Sequence, residues 1–492
     1  MKKIISLLLT LVMVFTLAVP AFAAERVNSD NYYKPDYDGY PIIVVRGINF
    51  GGLINEKDGS LAMQFKAEDI FSLLSNMLKG AVIDKNEDFF IDSVIDFVWG
   101  LMGNLASDKD GTSLNEDITA EYFTKSLANY NLADKFDYAT ENGMAHTAAE
   151  IAGDEHAYFF NYDWRLSPEE LAAQLSELVE TAKKDAGKDK VKIVCASMGG
   201  MVATAYLYYY GNDSVDSCTY LCAAHNGTYV AGSALSGNIE IMPEAMNNIF
   251  SSLASGNGAV VDFLMKALDK IGVYKLLAFL LNKFIDNNIE KVYDEFLRGA
   301  FATSVGLWAL CPDEYFDSAV DYMFSGYEEE YPVLLEKLEE CERFVKSTEK
   351  TLAKAEKDGV KLAFITNYNM GLVPVYPESV LQGDMVLEAE LTSNFATFAN
   401  QGETLSEDYL KNADSRYVSP EKDIDASTAL YKDCTWFVKN ANHVACDYGT
   451  QYSDFVFSLL MAEKQPSLAA FPQYPQFMVA DKELNLQPLA VN

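Results

Sequence analysis

The sequence predicts an α/β fold built on a mostly parallel sheet, and three observations support that prediction. Short runs of β-branched and aromatic residues alternate with stretches of helical periodicity, which is the rhythm of strand–helix–strand units. One of these strands leads directly into a turn with two glycines, and a helix follows it. Hydrophobic residues make up 49% of the 492-residue chain, which is enough for a large core.

The individual elements follow from the same patterns. Apolar β-branched or aromatic runs predict strands at residues 41–47, 158–162, 190–195, 215–222 and 360–366. Helical spacing predicts helices at 168–184, 200–210 and, near the end of the chain, 453–462. Pro168 suits the first turn of its helix, and two glutamates follow it where the helix dipole favours negative charge.

Two long segments interrupt this alternation. Helical periodicity covers residues 55–145, and residues 230–358 contain a very apolar stretch at 260–289 and a charged amphipathic helix at 327–357. The predicted organisation is a signal peptide, a catalytic domain and two helical insertions, with the second as a cap or lid. Their ranges are 1–23 for the signal peptide, 24–54 with 146–229 and 359–492 for the catalytic domain, and 55–145 and 230–358 for the insertions.

The apolar stripe of the second insertion has two interpretations. It is either a lid that opens at a lipid surface or a cap packed on the sheet, and its width favours the packed cap. Both interpretations place apolar side chains over any substrate site in the catalytic domain, which favours an acyl or otherwise hydrophobic substrate. The stripe comprises Leu264, Leu268, Ile271, Leu276, Leu277, Leu280, Leu281, Phe284 and Ile285.

The net charge of the chain and its N-terminal residues limit the possible binding partners and indicate the cellular location. The net charge of −34 disfavours nucleic acid as a partner and electrostatic adsorption to anionic lipids. Lys2 and Lys3 precede an apolar run at 4–20 and the small-residue site Ala21-Phe22-Ala23. This predicts a secretory signal peptide cleaved after Ala23, rather than an uncleaved anchor, and therefore a secreted protein without stable membrane insertion. Nothing in the sequence indicates an oligomeric state.

Cysteine and histidine counts limit other chemistries. Seven cysteines leave at least one free thiol and are too few for a disulfide scaffold of this size, although Cys434 and Cys446 could close a short loop. Four histidines make a structural zinc site improbable, so we expect no metal and no cofactor.

The strongest candidate for chemistry is the segment Cys195-Ala-Ser-Met-Gly-Gly200. A strand enters it and a helix leaves it, which is the context of a nucleophile elbow of the form G-x-S-x-G. Cys195 replaces the first glycine, so the turn should be strained, while Gly199 and Gly200 keep its other side open. The segment predicts Ser197 as a nucleophile; the alternative is a glycine-rich turn with a bystander serine.

A serine nucleophile needs a base, and the chain order of this fold is serine, acid, histidine. Only His443 leaves room for an acid in between, and His225 is better explained as a packed loop histidine. Asp384, in a loop after the strand at 360–366, is the best candidate for the acid that orients the imidazole. Asp313, Asp423, Asp447 and Glu388 are the fallbacks.

Stabilisation of an oxyanion requires two backbone N–H groups. Met198, directly after the serine, is predicted to supply one of them. The loop after the first strand should supply the other, with Ile48 as first choice and Asn49 as second.

In these segments the chain resembles the lecithin:cholesterol acyltransferase-like and lipase-like branch of the α/β-hydrolases. Val45-Arg-Gly-Ile48, Asn161-Tyr-Asp-Trp-Arg165, Ser197-Met-Gly-Gly200, Ala224-His-Asn-Gly-Thr228 and Thr435-Trp-Phe-Val438 ahead of His443 lie in the family's order. Asp384 falls at the family's acid position. Two departures stand out: Arg46 replaces the histidine of the family's His-Gly, and Cys195-Ala196 replaces the usual Gly/Ala-His.

The resemblance implies an α/β-hydrolase fold and a secreted serine hydrolase that cleaves carboxylic esters of acyl or lipid-like substrates. It implies an acyl-enzyme on Ser197, proton transfer by His443 with Asp384 behind it, and an oxyanion held by Met198 and Ile48. Two alternatives stay open. One is an acyltransferase or amidase with the same triad; the other, favoured by the altered elbow, is a non-catalytic extracellular binding protein.

Overall fold

The centre of the molecule, in the computed structural model, is an eight-stranded sheet. The structure describes residues 34–48, 52–62, 103–130, 142–254, 270, 272–443 and 445–490. The strands are β1 (Ile42–Val45), β2 (Leu53–Asn55), β3 (Ile118–Ala120), β4 (Ala157–Phe160), β5 (Val191–Ser197), β6 (Val215–Ala223), β7 (Lys361–Tyr368), β8 (Thr397–Phe398), β9 (Ile424–Asp425), β10 (Thr435–Lys439), β11 (Phe477–Ala480) and β12 (Leu486–Pro488). The large sheet has the order β12-β11-β10-β7-β6-β5-β1-β4, and all of its pairs except β11–β12 are parallel.

Helices cover both faces of this sheet. Their bounds are α1 (Asn142–Ala152), α2 (Pro168–Ala186), α3 (Met198–Tyr210), α4 (Tyr229–Leu235), α5 (Pro243–Ala254), α6 (Val273–Val292), α7 (Val305–Trp308), α8 (Asp313–Phe324), α9 (Pro332–Val345), α10 (Thr348–Lys357) and α11 (Gln451–Leu460). On one face α1 packs beside α11, and on the other α3 packs between α2 and α10. This is the predicted α/β-hydrolase architecture, and the prediction of fold class is confirmed.

Local sequence explains why the main elements form where they do. β1 is Ile-Ile-Val-Val and is fully buried, as expected for a parallel strand covered on both faces. α2 begins with a capping box in which Ser167 and Glu170 satisfy each other's backbone N–H groups. It ends at Gly187, whose φ of 62° suits a residue without a Cβ.

The predicted helix at 327–357 is wrong in two respects, because the helical segment begins only at Pro332 and it is two helices. α9 and α10 are separated by Lys346 and Ser347, and the Ser347 hydroxyl donates to the Arg343 carbonyl four residues earlier, a contact that bends helices. The buried positions keep helical spacing across the break, so periodicity alone could not reveal it. They are Leu334, Leu338, Cys341 and Phe344 on α9 and Thr348, Thr351, Leu352 and Ala355 on α10.

Only part of each insertion is described. β3, in the first insertion, pairs with β2 at the boundary of that insertion to form an antiparallel ribbon, which helical periodicity did not predict. In the second, α6 buries Tyr274, Leu277 and Ala278 in a cluster with Ile249 and Phe250 of α5, while Leu276 is half exposed. The predicted signal peptide at 1–23, the helical faces at 63–102, and Leu264, Leu268 and Ile271 lie outside the described residues.

Two further observations concern cysteines and membrane spans. All seven cysteines are buried free thiols, so the Cys434–Cys446 disulfide considered above is absent. Within the described part of the chain, no helix is both long and apolar enough to cross a membrane.

Candidate active site

The sheet order brings the sequence-predicted residues to one edge. Ser197 is the last residue of β5, Asp384 lies in a loop beyond β7, and His443 lies in a loop beyond β10. β5, β6, β7 and β10 are consecutive parallel strands, so their carboxyl ends all meet at the same edge of the sheet. In open α/β sheets this is the edge where ligands bind.

Ser197 occupies a strained turn. Its φ is 53° and its ψ is −133°, a backbone conformation that non-glycine residues rarely adopt. The pairing of β5 with β6 becomes irregular between Ala196 and Ser197, and the Ser197 carbonyl accepts from the Ala224 N–H at 2.8 Å. The serine residue is 8% exposed. Such strain persists only where the surroundings hold it, and it clusters at functional sites.

The two glycines after the serine are required by close packing. A Cβ on Gly199 would lie 2.4 Å from the Val45 carbonyl oxygen and 2.5 Å from that of Arg46, and a Cβ on Gly200 would lie 2.4 Å from the Ala223 Cβ. The start of α3 is thus held directly against the ends of β1 and β6.

Cys195, at the position of the usual first glycine, is accommodated in the core. Its thiol is fully buried and lies 3.5 Å from the Thr219 carbonyl oxygen, to which it donates. Burial raises the pKa of this thiol well above its ordinary value. Cys195 therefore acts as a packed residue and not as a second nucleophile.

Asp384 and His443 are in direct contact. The Asp384 Oδ2 atom lies 2.7 Å from Nδ1 of His443, and the two side chains are 1% and 12% exposed. The other carboxylate oxygen accepts from the N–H groups of Val386 and Leu387 at 3.0 and 2.8 Å. With one oxygen fixed by backbone, the other is free to fix the imidazole tautomer and leave Nε2 as the basic nitrogen.

The fallback acids lie elsewhere. Asp313 begins α8, Asp423 binds Ser419, and Asp447 is exposed. Glu388 is fully buried and accepts from the Tyr376 hydroxyl at 2.5 Å and the Thr228 hydroxyl at 3.0 Å. Asp384 is thus the candidate acid that the structure places against His443.

Glu388 has a feature that sequence reasoning missed. Burial raises the pKa of its carboxyl to about 7, although hydrogen bonds from Tyr376 and Thr228 and from the Tyr229 N–H oppose the shift. The carboxyl joins the loop that carries Asp384 to the start of α4. No motif marks it, because its surroundings come from segments about 160 residues apart in the chain.

His225 is a packed histidine, as expected. It is buried, its Nδ1 donates to the Ala223 carbonyl at 3.0 Å, and its Nε2 lies 2.9 Å from the side-chain amide of Asn394. Burial lowers its pKa to about 4, so the ring is neutral at physiological pH.

The expected oxyanion donors are partly described. Met198 is the first residue of α3, so its N–H has no partner within the helix. Ile48 follows β1 and is partly buried, and the contacts of Gly199 hold the end of β1 beside the first turn of α3. Asn49, the second choice, lies outside the described residues.

The Tyr-Asp-Trp-Arg segment joins both insertions to the sheet. Arg165 is buried and forms an ion pair with Asp163 at 2.6 Å. It also donates to the Ser113 hydroxyl at 2.7 Å and the Ile118 carbonyl at 2.9 Å, both in the first insertion. From the second insertion, the Gly306 N–H donates to the Arg165 carbonyl at 3.1 Å.

Arg46, which stands where the resembled family has histidine, is also buried. Its Nη1 donates to the Asn161 side chain at 3.2 Å, and its carbonyl accepts from the Tyr162 hydroxyl at 2.9 Å. The residue thus links the end of β1 to the segment after β4.

A cavity of about 470 Å³ lies between the second insertion and the loops beyond β7. Its lining includes two glutamates, one lysine and four side-chain amides, which belong to Asn247, Asn248, Asn400 and Gln401. This lining is too polar for an acyl chain, so the cavity does not identify the apolar surface expected over the site.

Comparison with protein-family models agrees with the fold. Residues 76–280 match the family model described as lecithin:cholesterol acyltransferase, which confirms the resemblance to that branch of the α/β-hydrolases. The match implies an enzyme of the acyltransferase or esterase type. A chain in the crystal structure of the Tle4-Tli4 complex is 12% identical over 67% of this chain and 75% of that chain, with a TM-score of 0.26. No curated protein gave a significant match.

Proposed function

We propose that the protein is a secreted serine hydrolase that cleaves carboxylic esters of acyl or lipid-like substrates through an acyl-enzyme on Ser197. The observation that carries the proposal is the 2.7 Å contact between Asp384 and His443 at the sheet edge where Ser197 occupies a strained elbow. The family match at 76–280, which includes Ser197, supports the lipid-ester substrate class.

In the proposed mechanism His443 Nε2 removes the hydroxyl proton of Ser197 as the serine oxygen attacks the ester carbonyl. Asp384 stabilises the resulting imidazolium through Nδ1. The N–H groups of Met198 and Ile48 stabilise the oxyanion. The imidazolium then protonates the departing alcohol, the acyl group stays on Ser197, and a water activated by the same histidine releases the acid.

Acyl transfer is the second candidate, and the family match favours it. An alcohol that enters in place of water would accept the acyl group by the same steps. The two activities differ only in the nucleophile of the second half-reaction, so they share all the residues named above.

The proposal includes the organisation inferred from the sequence. The catalytic domain comprises 24–54, 146–229 and 359–492, with insertions at 55–145 and 230–358, and export follows cleavage after Ala23. The contacts of Arg165 with 105–118 and of its carbonyl with Gly306 support the view that both insertions pack on one catalytic domain.

Turnover of p-nitrophenyl butyrate and palmitate by wild type, Ser197→Ala and Ser458→Ala tests the proposal. Ser458 lies on α11, where its hydroxyl donates to the Phe455 carbonyl, so it is a matched control. We expect Ser197→Ala to lose about a thousandfold or more in kcat, and the control to match wild type. If wild type and Ser197→Ala are equally inert while folded, the binding-protein alternative replaces the hydrolase.

A further inference from the structure

The peptide unit that precedes His443 is held by hydrogen bonds at both its carbonyl and its N–H group. The peptide bond between Asn442 and His443 carries the Asn442 carbonyl and the His443 N–H. The carbonyl accepts from Nδ2 of Asn367 at 2.8 Å and from the Ala445 N–H at 3.2 Å, and the N–H donates to the Asp384 carbonyl at 2.9 Å. Rotation of this peptide plane would break all three hydrogen bonds, so the direction in which the imidazole leaves the backbone is fixed. Among the three, the bond from Asn367 is the one that a side chain supplies.

Asn367 is itself oriented by a second residue. Its Oδ1 accepts from the Tyr452 hydroxyl at 2.5 Å, which determines which end of the amide faces Asn442. Asn367 lies near the end of β7 and Tyr452 in the first turn of α11, and both are buried. Burial keeps the pKa of the Tyr452 hydroxyl well above its ordinary value, so the hydroxyl remains a donor at any pH used in an assay.

We propose that Asn367 and Tyr452 are positioning residues. They aim the His443 imidazole at Ser197 by fixing the plane of the peptide bond that precedes His443. The inference deepens the proposed function and rests on it. Neither residue is expected to touch substrate; both act through the backbone of the histidine loop. Loss of either should reduce the rate of the chemical step and leave substrate binding unchanged, because small errors of orientation are costly in proton transfer.

Tyr452→Phe is the sharpest variant, because it removes one oxygen and keeps the ring in place. Asn367→Leu removes both amide hydrogen bonds at similar volume. The matched control is Tyr158→Phe: Tyr158 is equally buried on β4, and its hydroxyl has no hydrogen-bond partner among the described residues. With p-nitrophenyl butyrate we expect kcat to fall by roughly tenfold or more in both network variants, with KM within about twofold of wild type. The control should match wild type.

A purely structural effect would also lower activity. Measuring the same substitution in the Asp384→Asn variant separates positioning from structural damage. If Tyr452 acts through His443, adding Tyr452→Phe to Asp384→Asn should change kcat by less than about twofold, because the histidine is already misdirected. A full multiplicative loss in that background would overturn the positioning role. Unchanged kcat in Tyr452→Phe, verified as folded by thermal melting, would overturn it as well, even if Asn367→Leu does not fold.

The same experiment distinguishes failure of this inference from failure of the proposed function. If wild type shows no turnover that Ser197→Ala abolishes, the hydrolase itself is wrong and the positioning role falls with it. If wild type is active and the network variants are equally active, the hydrolase stands and only the positioning role is wrong.

Discussion

Ser197 keeps a backbone conformation that its own side chain disfavours, because its neighbours leave no alternative. The helix that follows starts against the carbonyl oxygens of Val45 and Arg46, an approach that only a residue without a Cβ permits at position 199. The strain at the serine and the absence of a side chain at Gly199 therefore belong to one arrangement. Together they keep the serine and the start of α3 beside the loop after β1.

Gly199→Ala should disrupt this arrangement. The new methyl group would meet two backbone oxygens that cannot move independently of β1, so we expect a loss of about 2–3 kcal/mol in the free energy of unfolding. Gly299→Ala is the control, because an added Cβ there meets no atom within 4 Å. Urea denaturation measures both variants. Equal unfolding midpoints would mean that the close approach at position 199 is not needed.

Much of the candidate site could be predicted from the sequence residue by residue. The residues that could not be predicted share a physical reason. Chain order and the elbow motif predict Ser197 and His443 without any coordinates, and they make Asp384 the best of several candidate acids. Asn367 and Tyr452 carry no such signal, because their contacts join residues 75 and 85 positions apart in the chain. Buried amide and hydroxyl groups gain their roles only when folding supplies a partner.

Among the elements, the loop at 382–388 links the candidate site to the start of α4, the helix that leads into the second insertion. Asp384 lies at one end of this loop and Glu388 at the other, where the glutamate accepts from Thr228 and Tyr229 at the start of α4. Any change in the charge of Glu388 therefore acts on the contact between the loop that carries Asp384 and a helix of the second insertion.

Glu388→Gln should change how stability depends on pH. An unfolded glutamate loses its proton near pH 4.5, whereas the folded carboxyl holds it up to about pH 7. In this window the folded state binds more protons, so this residue makes stability fall as pH rises, by about 3 kcal/mol in all. Urea denaturation from pH 4.5 to 8 should show a smaller decline in the variant. An identical decline would refute the burial effect. The control is Glu403→Gln, which changes an exposed glutamate and should leave the decline as it is in wild type.

Arg165 supports the packing of the first insertion on the sheet. Arg165→Met would leave the buried Asp163 without its cation and remove donors to Ser113 and Ile118, so we expect a loss of about 3–5 kcal/mol. Arg416→Met breaks an exposed pair with Asp414 and should give no measurable change. Urea denaturation tests stability, and limited proteolysis should cleave the variant faster within 103–130. Equal protection of the variant and wild type would rule out this role for Arg165.

The elements that could not be predicted from the sequence are short strands and strands that pair across a long sequence separation. β11 and β12 have four and three residues, and β12 ends at Pro488 on the sheet edge, so neither produces a clear alternating pattern. The ribbon of β2 and β3 pairs residues about 65 positions apart, which periodicity cannot reveal. The long buried strands and the helices between them were predicted because each carries its own pattern.

For the whole molecule, the net charge of −34 is the dominant electrostatic feature. Repulsion among excess carboxylates opposes the compact state, and salt screens it. We expect the melting temperature to rise by a few degrees between 10 and 200 mM sodium chloride, as measured by differential scanning calorimetry at pH 8. Sucrose at matched osmolarity controls for solvent effects. A melting temperature that falls with salt would mean that specific ion pairs outweigh the net repulsion.

Everything proposed for this site depends on an acyl-enzyme that Ser197 forms with help from His443 and Asp384. The most direct test is intact-protein mass spectrometry after brief mixing with p-nitrophenyl butyrate and acid quench, comparing wild type, Ser197→Ala and His443→Ala. We predict one added butyryl group on wild type, located on the peptide that contains Ser197, none on Ser197→Ala, and much slower addition to His443→Ala. A butyryl group that appears equally on Ser197→Ala would show that Ser197 is not the nucleophile. Turnover by wild type without an adduct at Ser197, even under burst conditions, would show the same.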